Sequence, residues 1–264
     1  MMGTQKNQNI MPQYTDYAEY YDQDHGGDSD IAFYLDYAKK CGSPILELAC
    51  GTGRVLLPLA NAGFEVHGID LSENMLNVCR LKMKQQNLFD KIHLYRANMS
   101  NFEMERKDFT LVYIAVRSFM HIFNQKDQLA CLAQVYRHLR PGGYFIVNVY
   151  APNLRKLLQE PDAAFVVTSE YELDNGNHII RSDRFVRNDP LLQIQYSERK
   201  FEEYDRTGRL VRQRVVPLDT RYTFRYELQL LLEKVGFHVI DIFRDYAKHP
   251  FDSTGEIIMV AVKK

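Results

Sequence analysis

The sequence is poor in cysteine and lacks the spacings that bind metals or build disulfide frameworks. Its four cysteines lie far apart, without a CxxC pair, in apolar contexts where a free thiol behaves as a small hydrophobic side chain. The eight histidines include no HxxxH pair. We therefore expect neither a disulfide nor a bound metal, and a metal hydrolase is not a leading candidate.

The chain also lacks an excess of charge of one sign and any long apolar run. It has 33 basic and 34 acidic residues, so the overall charge does not favour nucleic acid as a partner. The first residues form no apolar signal core, and no segment approaches the ~18 apolar residues that a membrane span needs. We expect a cytoplasmic protein without a membrane partner, and its 45% hydrophobic content is enough for one large core.

Two hydrophobic rhythms alternate over the first 150 residues. Short apolar runs such as ILELAC, FEVHGID and FTLVYIAV are separated by segments of helical period, for example at 72–86 and 126–139. This alternation predicts a parallel sheet with helices on both faces. A helical segment near 224–235, followed by the runs FHVIDIF and EIIMVAV, returns to the same pattern at the end of the chain.

A different pattern separates these two parts. Between about 165 and 221, alternating strands are punctuated by the turn signals DNG, NDP and TG, which predict an antiparallel meander. We therefore expect a core formed by residues 1–150 and 222–264, with residues 151–221 inserted as a lid or substrate-binding subdomain. An exposed edge of the meander is a candidate surface for pairing with a second copy in a homodimer.

An acidic residue and a glycine turn stand at the exit of the first predicted strand. The stretch ILELACGTGR places Glu47 within an apolar strand and Gly51 and Gly53 just after it. Ligands of open parallel sheets collect beyond the carboxyl ends of the strands, and glycines let the backbone approach them closely. The N–H groups of a helix starting near Arg54 add donors, so a polar ligand is expected here.

This turn does not complete a common phosphate-binding motif. The fingerprint GxGxxG would need a third glycine where Leu56 stands, and GxxxxGK[ST] would need a lysine that is absent. Asp70 ends the second predicted strand, and a carboxylate there can accept both ribose hydroxyls of an adenosine. The residues therefore indicate a nucleoside without a diphosphate.

The motifs in series resemble the class I S-adenosylmethionine-dependent methyltransferases, whose first motif is an acidic strand end followed by a GxG turn. LELACGTGR, GIDLSENML, YRANMSNF, FTLVYIAV and HLRPGGYFIVNV occur in the family's order. The resemblance implies an α/β, Rossmann-like fold: a mostly parallel seven-stranded sheet with an antiparallel last strand, plus the inserted β-meander lid. It also implies an enzyme with S-adenosyl-L-methionine as cofactor.

The resemblance further implies which residues contact the cofactor. Glu47 and the turn at 49–53 would hold the methionine part, Asp70 the ribose, and Leu71 the adenine. Met75 would also pack on the adenine, with simple core packing as an equal alternative. The complete set is Tyr14, Glu47, Ala49, Gly51, Gly53, Arg54, Asp70, Leu71, Met75, Asn98, Met99, Ala115 and Val116.

More specifically, the chain resembles small-molecule methyltransferases, notably amino-sugar N-methyltransferases, in YAEYYD at 17–22, RSFMHI at 117–122 and the inserted meander. The predicted reaction is methyl transfer to an amine or hydroxyl of a small molecule. His121 is the predicted catalytic base, because an imidazole with an ordinary pKa near ~6.5 can take a proton around neutral pH. Tyr21 is its predicted helper. Alternatively, His121 only fixes its loop, and Arg117 beside it holds an anionic ligand group or faces water.

Two other classes of function stay open at this point. A nicotinamide-dependent oxidoreductase is disfavoured by the missing third glycine, whereas a non-catalytic nucleoside-binding module would use the same residues. A modest excess of basic residues in the meander suits an anionic acceptor, but arginines on strands also serve as cross-strand partners. The identity of the acceptor does not follow from the sequence.

Overall fold

The computed structural model describes residues 18, 20–24 and 27–264. The helices are α1 (Tyr21–Asp24), α2 (Ile31–Cys41), α3 (Leu56–Asn61), α4 (Glu73–Gln85), α5 (Gln125–His138), α6 (Leu154–Leu157) and α7 (Arg225–Val235). The strands are β1 (Ile45–Leu48), β2 (Val66–Asp70), β3 (Ile92–Arg96), β4 (Phe109–Ile114), β5 (Leu139–Tyr150), β6 (Val166–Glu172), β7 (His178–Asp189), β8 (Ile194–Tyr204), β9 (Leu210–Pro217), β10 (Thr220–Arg221), β11 (Phe237–Phe243) and β12 (Glu256–Lys263). Within these residues, no helix has the length and apolar character that crossing a membrane requires.

The main sheet has seven strands in the order β11–β12–β5–β4–β1–β2–β3. β1 to β5 are parallel, and β12 runs antiparallel to both of its neighbours. The predicted fold, with a reversed last strand, is confirmed. The carboxyl ends of β1 to β4 therefore meet at one edge of the sheet, which we call the carboxyl edge.

The sheet separates two hydrophobic clusters, because alternate residues of a strand point to opposite faces. Leu46 and Leu48 of β1 belong to the cluster that α5 and α7 cover, whereas Ile45 belongs to the cluster under α2, α3 and α4. All four residues of β1 are buried. Burial on both faces explains why the strands of this sheet read as continuous apolar runs.

One glycine sets how closely α3 packs on the sheet. A Cβ on Gly68 of β2 would lie 2.5 Å from Leu56 Cδ1 and 2.8 Å from Cys50 Sγ. Leu56 occupies the position at which a dinucleotide fingerprint has its third glycine, and close helix–strand packing is achieved here by the glycine on the strand instead.

The segment after β5 forms a second, antiparallel sheet. β6, β7, β8 and β9 pair in sequence as a meander, and β10 pairs with β8 beyond the end of β9. The predicted meander is confirmed. The division of the chain into a core and an inserted subdomain at 151–221 stays a prediction, because both sheets share contacts with the same N-terminal residues.

Those residues, Ala18 and Tyr20 to Asp24, form what we call the N-terminal strap. Tyr20 packs in a third hydrophobic cluster with Ile179 and Phe201 of the second sheet and Met75 of α4. Its hydroxyl donates to the Glu203 carboxylate at 2.7 Å. The strap therefore lies between the second sheet and the main sheet's helical layer.

Candidate active site

A carboxylate at the end of β2 is hydrogen-bonded to the turn after β1 and so links the exits of the two strands. Asp70 Oδ2 accepts a hydrogen bond from the Gly51 backbone N–H at 2.8 Å, and Oδ1 accepts one from the Ser72 N–H at 2.8 Å. Burial raises the pKa of Asp70, against the effect of these backbone donors. Each oxygen retains a second lone pair, so this carboxylate can also accept ligand hydroxyls.

The turn after β1 is built from left-handed residues with different surroundings. Ala49, Gly51 and Gly53 have φ values of 56°, 56° and 81°. A Cβ on Gly53 would lie 2.6 Å from Cys79 Sγ, whereas a Cβ on Gly51 would meet no described protein atom within 4 Å. Gly53 is therefore required by packing against α4, and Gly51 keeps one side of the turn open to a ligand.

Glu47 is a buried acid beneath this turn. Its residue is 2% exposed, and its Oε2 accepts a hydrogen bond from the Tyr113 hydroxyl at 3.0 Å. Burial raises the pKa of Glu47 to about 8. The carboxyl is therefore largely protonated at neutral pH, and a cation placed beside it would favour its ionised form.

Arg54, just after the turn, contacts the residues that precede α2. Its guanidinium donates to both Asp30 oxygens, at 2.8 and 2.5 Å, and to the Gly27 carbonyl at 2.8 Å. Arg54 Nε is buried and has no acceptor among the described residues. A buried donor without a partner is costly in the protein alone, so this nitrogen is suited to a ligand acceptor.

The residues expected around adenine lie at the exits of β2 and β3. Leu71 is partly exposed, and Asn98 Oδ1 accepts the Ser100 N–H at 2.9 Å while keeping a second lone pair. Met99 packs against the cluster under α5. Met75 is 1% exposed in the third cluster, beneath the strap, which fits the packing alternative better than direct contact with a ligand.

The exit of β4 has a strained backbone held by a polar network. Val116 and Arg117 have φ values of 52° and 62°. This left-handed conformation is uncommon for any residue other than glycine and is rarest for a β-branched residue such as Val116. The Arg117 N–H donates to Asn148 Oδ1 at 3.1 Å, and its guanidinium pairs with the Glu256 carboxylate. Because Asn148 also donates to Glu256 at 3.0 Å, β4, β5 and β12 jointly enforce the strain.

The structure adds contacts at two residues of this loop for which the sequence implied or left open a role. Arg117, whose side chain is 32% exposed, pairs with Glu256, and its Cζ lies 3.9 Å from the centroid of the Tyr150 ring. The Ala115 carbonyl already accepts hydrogen bonds from the Ser118 N–H and hydroxyl, at 3.1 and 2.9 Å. Contact between an adenine amino group and the backbone at 115–116 stays a prediction.

His121 ends the 3-10 turn Ser118–His121 and joins the two sheets. Its Nδ1 lies 3.1 Å from the Asp219 carbonyl oxygen, which precedes β10. Because a carbonyl only accepts, Nδ1 carries the proton and Nε2 is the acceptor of the neutral ring. Burial lowers the pKa of His121 to about 4, so the expectation that it titrates near neutral pH is wrong.

The strap connects the glycine turn to the second sheet, a link that sequence patterns did not reveal. Thr52, between the two glycines, donates to Asp22 Oδ1 at 2.6 Å, and Lys82 donates to Asp22 Oδ2 at 2.7 Å. The fully buried Asp24 side chain pairs with Arg181 and Arg199 of the second sheet. Burial raises the pKa of Asp24, against these two arginines.

The structure describes only one of the two tyrosines predicted for the site. Tyr21 is partly buried in α1, within the strap, whereas Tyr14 lies outside the described residues. The basic residues of the meander are largely engaged by acids: Arg199 also pairs with Asp183 at 2.8 Å, and Arg184 pairs with Glu198. Cross-strand and strap pairing therefore accounts for much of the local basic excess.

The site has an acid in β1 followed by a glycine turn, and a carboxylate at the end of β2. The sheet has a reversed strand, β12, between β5 and β11. These are the features that the resemblance to class I methyltransferases implies. In agreement, residues 45–143 match a sequence family described as a methyltransferase domain. The resemblance stated above is confirmed: the chain contains a methyltransferase domain, and solved structures similar to it include an enzyme with S-adenosylmethionine bound.

Similar proteins span nearly the whole chain. The CcbJ methyltransferase from Streptomyces caelestis is 26% identical, with a TM-score of 0.77 over 96% of this chain and 98% of its own. CalS10, an amino pentose methyltransferase from Micromonospora echinaspora solved with bound S-adenosylmethionine, is 17% identical, with a TM-score of 0.70 over 98% of this chain and 100% of its own. A protein of Geobacillus sp. (strain WCH70) whose name assigns it as a methyltransferase is 25% identical over 86% of this chain and 87% of its own.

The two glycines of the turn should respond differently to alanine. Gly51→Ala should weaken S-adenosylmethionine binding at least about tenfold while lowering stability by only about 1 kcal/mol, because its Cβ enters open space in a left-handed conformation. Gly53→Ala should lower stability by about 1–3 kcal/mol more, because its Cβ overlaps Cys79. Calorimetric titration and urea unfolding of both variants measure these effects. Equal losses of stability in the two variants would contradict the packing role of Gly53 and the open position of Gly51.

The Glu47→Gln variant should be more stable than the wild-type protein without ligand, and the difference in stability should grow as the pH rises. Unfolded Glu47 ionises near pH 4.5 but the folded residue only near about 8, so wild-type stability falls as pH rises across this interval. The glutamine variant lacks this loss, and its advantage should reach on the order of 3 kcal/mol at pH 7.

Urea unfolding at several pH values between about 4 and 8 checks this, with exposed Glu105→Gln as control. A stability difference between Glu47→Gln and wild type that does not change with pH would contradict a buried, protonated Glu47.

Proposed function

We propose that this chain transfers the methyl group of S-adenosylmethionine to an amine of a small molecule. The cofactor lies across the exits of β1, β2 and β3, and the acceptor lies between the β4 exit and the second sheet. The observation that carries the proposal is the Asp70 carboxylate fastened to the Gly51 amide, at an open turn above a buried acid.

The polar groups along the carboxyl edge match the successive parts of the cofactor. Glu47 and Arg54 Nε suit the ammonium and carboxylate of the methionine part, since one is an acid beside the turn and the other a buried donor without a partner among the described residues. Asp70 suits the ribose hydroxyls. The exposed faces of Leu71 and Asn98 suit the adenine, and Tyr21 of the strap suits a position over the site. A role for Tyr14 stays a prediction from the sequence.

The weak basicity of His121 favours an amine over a hydroxyl acceptor. An imidazole with a pKa of about 4 is a poor base for a hydroxyl at neutral pH. An amine is partly present as the free base in neutral solution and only needs its lone pair directed at the methyl group. His121 can provide this direction by accepting an N–H hydrogen bond at Nε2, because Nδ1 is committed to Asp219.

The mechanism then rests on placement. When bound, S-adenosylmethionine supplies a methyl group that its sulfonium already activates. His121 orients the acceptor nitrogen, and the strap with Tyr21 excludes water and holds the reacting groups in line. The nitrogen–carbon bond forms as the sulfur–carbon bond breaks, and the methylated nitrogen then releases its proton to solvent.

Similar proteins support an amine acceptor. CalS10 is described as an amino pentose methyltransferase, and its similarity extends over the second sheet as well as the methyltransferase domain. An amino sugar is therefore the first acceptor class to test. A non-catalytic nucleoside-binding module would share the cofactor site but would not need the hydrogen bond that orients His121 toward Asp219.

The discriminating experiment pairs cofactor binding with acceptor choice. Calorimetry should detect binding of S-adenosylmethionine and S-adenosylhomocysteine but not NADH. A sugar bearing an amine should then be methylated, whereas the same sugar with a hydroxyl at that position should not. Methylation of the hydroxyl form alone would contradict the amine proposal, and binding without any methyl transfer across a panel of amines would support the binding module.

His121→Ala should lower kcat/KM about tenfold, the value of one hydrogen bond of about 1.4 kcal/mol, and leave S-adenosylmethionine affinity unchanged. Because His121 is neutral from about pH 5 upward, the ratio of wild-type to variant activity should be constant between about pH 5.5 and 8. Exposed His178→Ala is the control. A ratio that changes around pH 6.5 would show instead that His121 acts as a titrating base.

A further inference from the structure

The side of the main sheet opposite the carboxyl edge, where the parallel strands begin, carries a cluster that methyl transfer does not use. We call this side the amino edge. Glu65 immediately precedes β2, His67 is its second residue, and His93 is the second residue of β3. His67 and His93 are direct partners in the parallel register of these strands. Asp70 lies at the other end of β2, about 10 Å from His67 along a strand, so this cluster is separate from the cofactor site.

The three side chains converge on one small region. Glu65 and His67 are two residues apart and share a face of the strand. Glu65 Oε1 lies 3.1 Å from His67 Nε2 and 3.9 Å from His93 Nε2, and the three potential ligand atoms all lie within 4.8 Å of one another. The two imidazole rings stack with centroids 4.6 Å apart.

Two groups of the cluster, Glu65 and His67, have pKa shifts in the direction that suits metal binding. Burial lowers the pKa of His67, so its ring is neutral at neutral pH. Although burial opposes it, the hydrogen bond from His67 and the charge of Arg106 lower the pKa of Glu65, so its carboxyl is ionised. A neutral imidazole and a carboxylate are the forms that bind a cation without first losing a proton.

A hydroxyl also lies beside the second ring nitrogen of His67. His67 Nδ1 lies 3.4 Å from the Tyr95 hydroxyl, and the rings of these residues are nearly parallel. A hydroxyl can donate or accept. If a cation replaced the proton between His67 Nε2 and Glu65, Nδ1 could carry that proton and donate it to Tyr95, as ligating histidines usually do with a neighbouring oxygen.

From this arrangement we propose that Glu65, His67 and His93 form a binding site for a divalent transition metal of the Zn²⁺ type, with water completing the coordination. One carboxylate and two imidazoles are a common three-ligand set for zinc. Bringing the ligand atoms to about 2.0–2.2 Å from one ion requires small shifts. The partly exposed side chain of His93, 43% accessible, is able to make them.

Arg106 is the natural competitor for this cation. Its guanidinium lies 3.0 Å from Glu65 Oε1, and its side chain is 37% exposed. A metal must displace this guanidinium from the carboxylate or share the carboxylate with it, so the site is expected to be weakened by Arg106. Removing the charge of Arg106 should therefore tighten metal binding, an effect that a purely structural role of the cluster does not predict.

The test uses the full chain stripped of metal and titrated with Co²⁺, whose visible absorption reports tetrahedral coordination, and with Zn²⁺ as competitor. Wild type should bind one Co²⁺ with the strong visible bands of a tetrahedral site, and Zn²⁺ should displace it. His93→Ala should weaken binding more than about 100-fold, because it removes a metal ligand. Tyr95→Phe should weaken it by roughly 10-fold, because it removes only the hydroxyl that orients the His67 ring. Arg106→Gln should tighten binding severalfold.

His238→Ala removes an exposed histidine of β11 and is the matched control, which should bind like wild type. His93 and Arg106 are both partly exposed, so neither change should prevent folding. The proposal is overturned if wild type gives no tetrahedral Co²⁺ spectrum at saturation. It is also overturned if His93→Ala binds as tightly as wild type, or if Arg106→Gln binds more weakly.

Discussion

The contact between the Asp70 carboxylate and the Gly51 amide is the constraint on which the cofactor site depends. Parallel strands β1 and β2 end side by side, and this hydrogen bond converts that adjacency into a fixed relation between a turn and a carboxylate. Because Asp70 also accepts from Ser72, the same side chain sets the start of α4. The turn, the Asp70 carboxylate and the helix behind them are therefore one unit.

The unfavourable features of the molecule are concentrated at the same edge. Ala49, Val116 and Arg117 hold left-handed backbone conformations, and Glu47 is an acid without water around it. Each costs free energy in the protein alone, and the two hydrophobic clusters on either side of the sheet provide the stability that tolerates them. Such residues are expected where a ligand, rather than the fold, has determined the sequence.

Much of this site could be predicted because its signals are local in sequence. Glu47 and Asp70 lie in strands that are recognisable as apolar runs, the two glycines follow the first of them, and parallel topology brings the carboxyl ends of these strands together. The environment of His121 could not be predicted, because burial lowers its pKa and the carbonyl that opposes this shift belongs to Asp219, 98 residues away in sequence. The strap contacts are equally long-range, since nothing in the sequence near Asp22 indicates Thr52 or Lys82.

The metal ligands illustrate the same limit in another form. Spacing rules such as HxxxH describe ligands on a single helix, whereas Glu65 and His67 lie on one strand and His93 on the next, so their convergence depends on strand register. A shift of one residue between β2 and β3 would turn His93 to the other face. Register here is fixed by burial of neighbouring residues such as Val66, Ile69 and Ile92. The same core packing that aligns the strand exits for the cofactor therefore also aligns the histidines at the opposite edge.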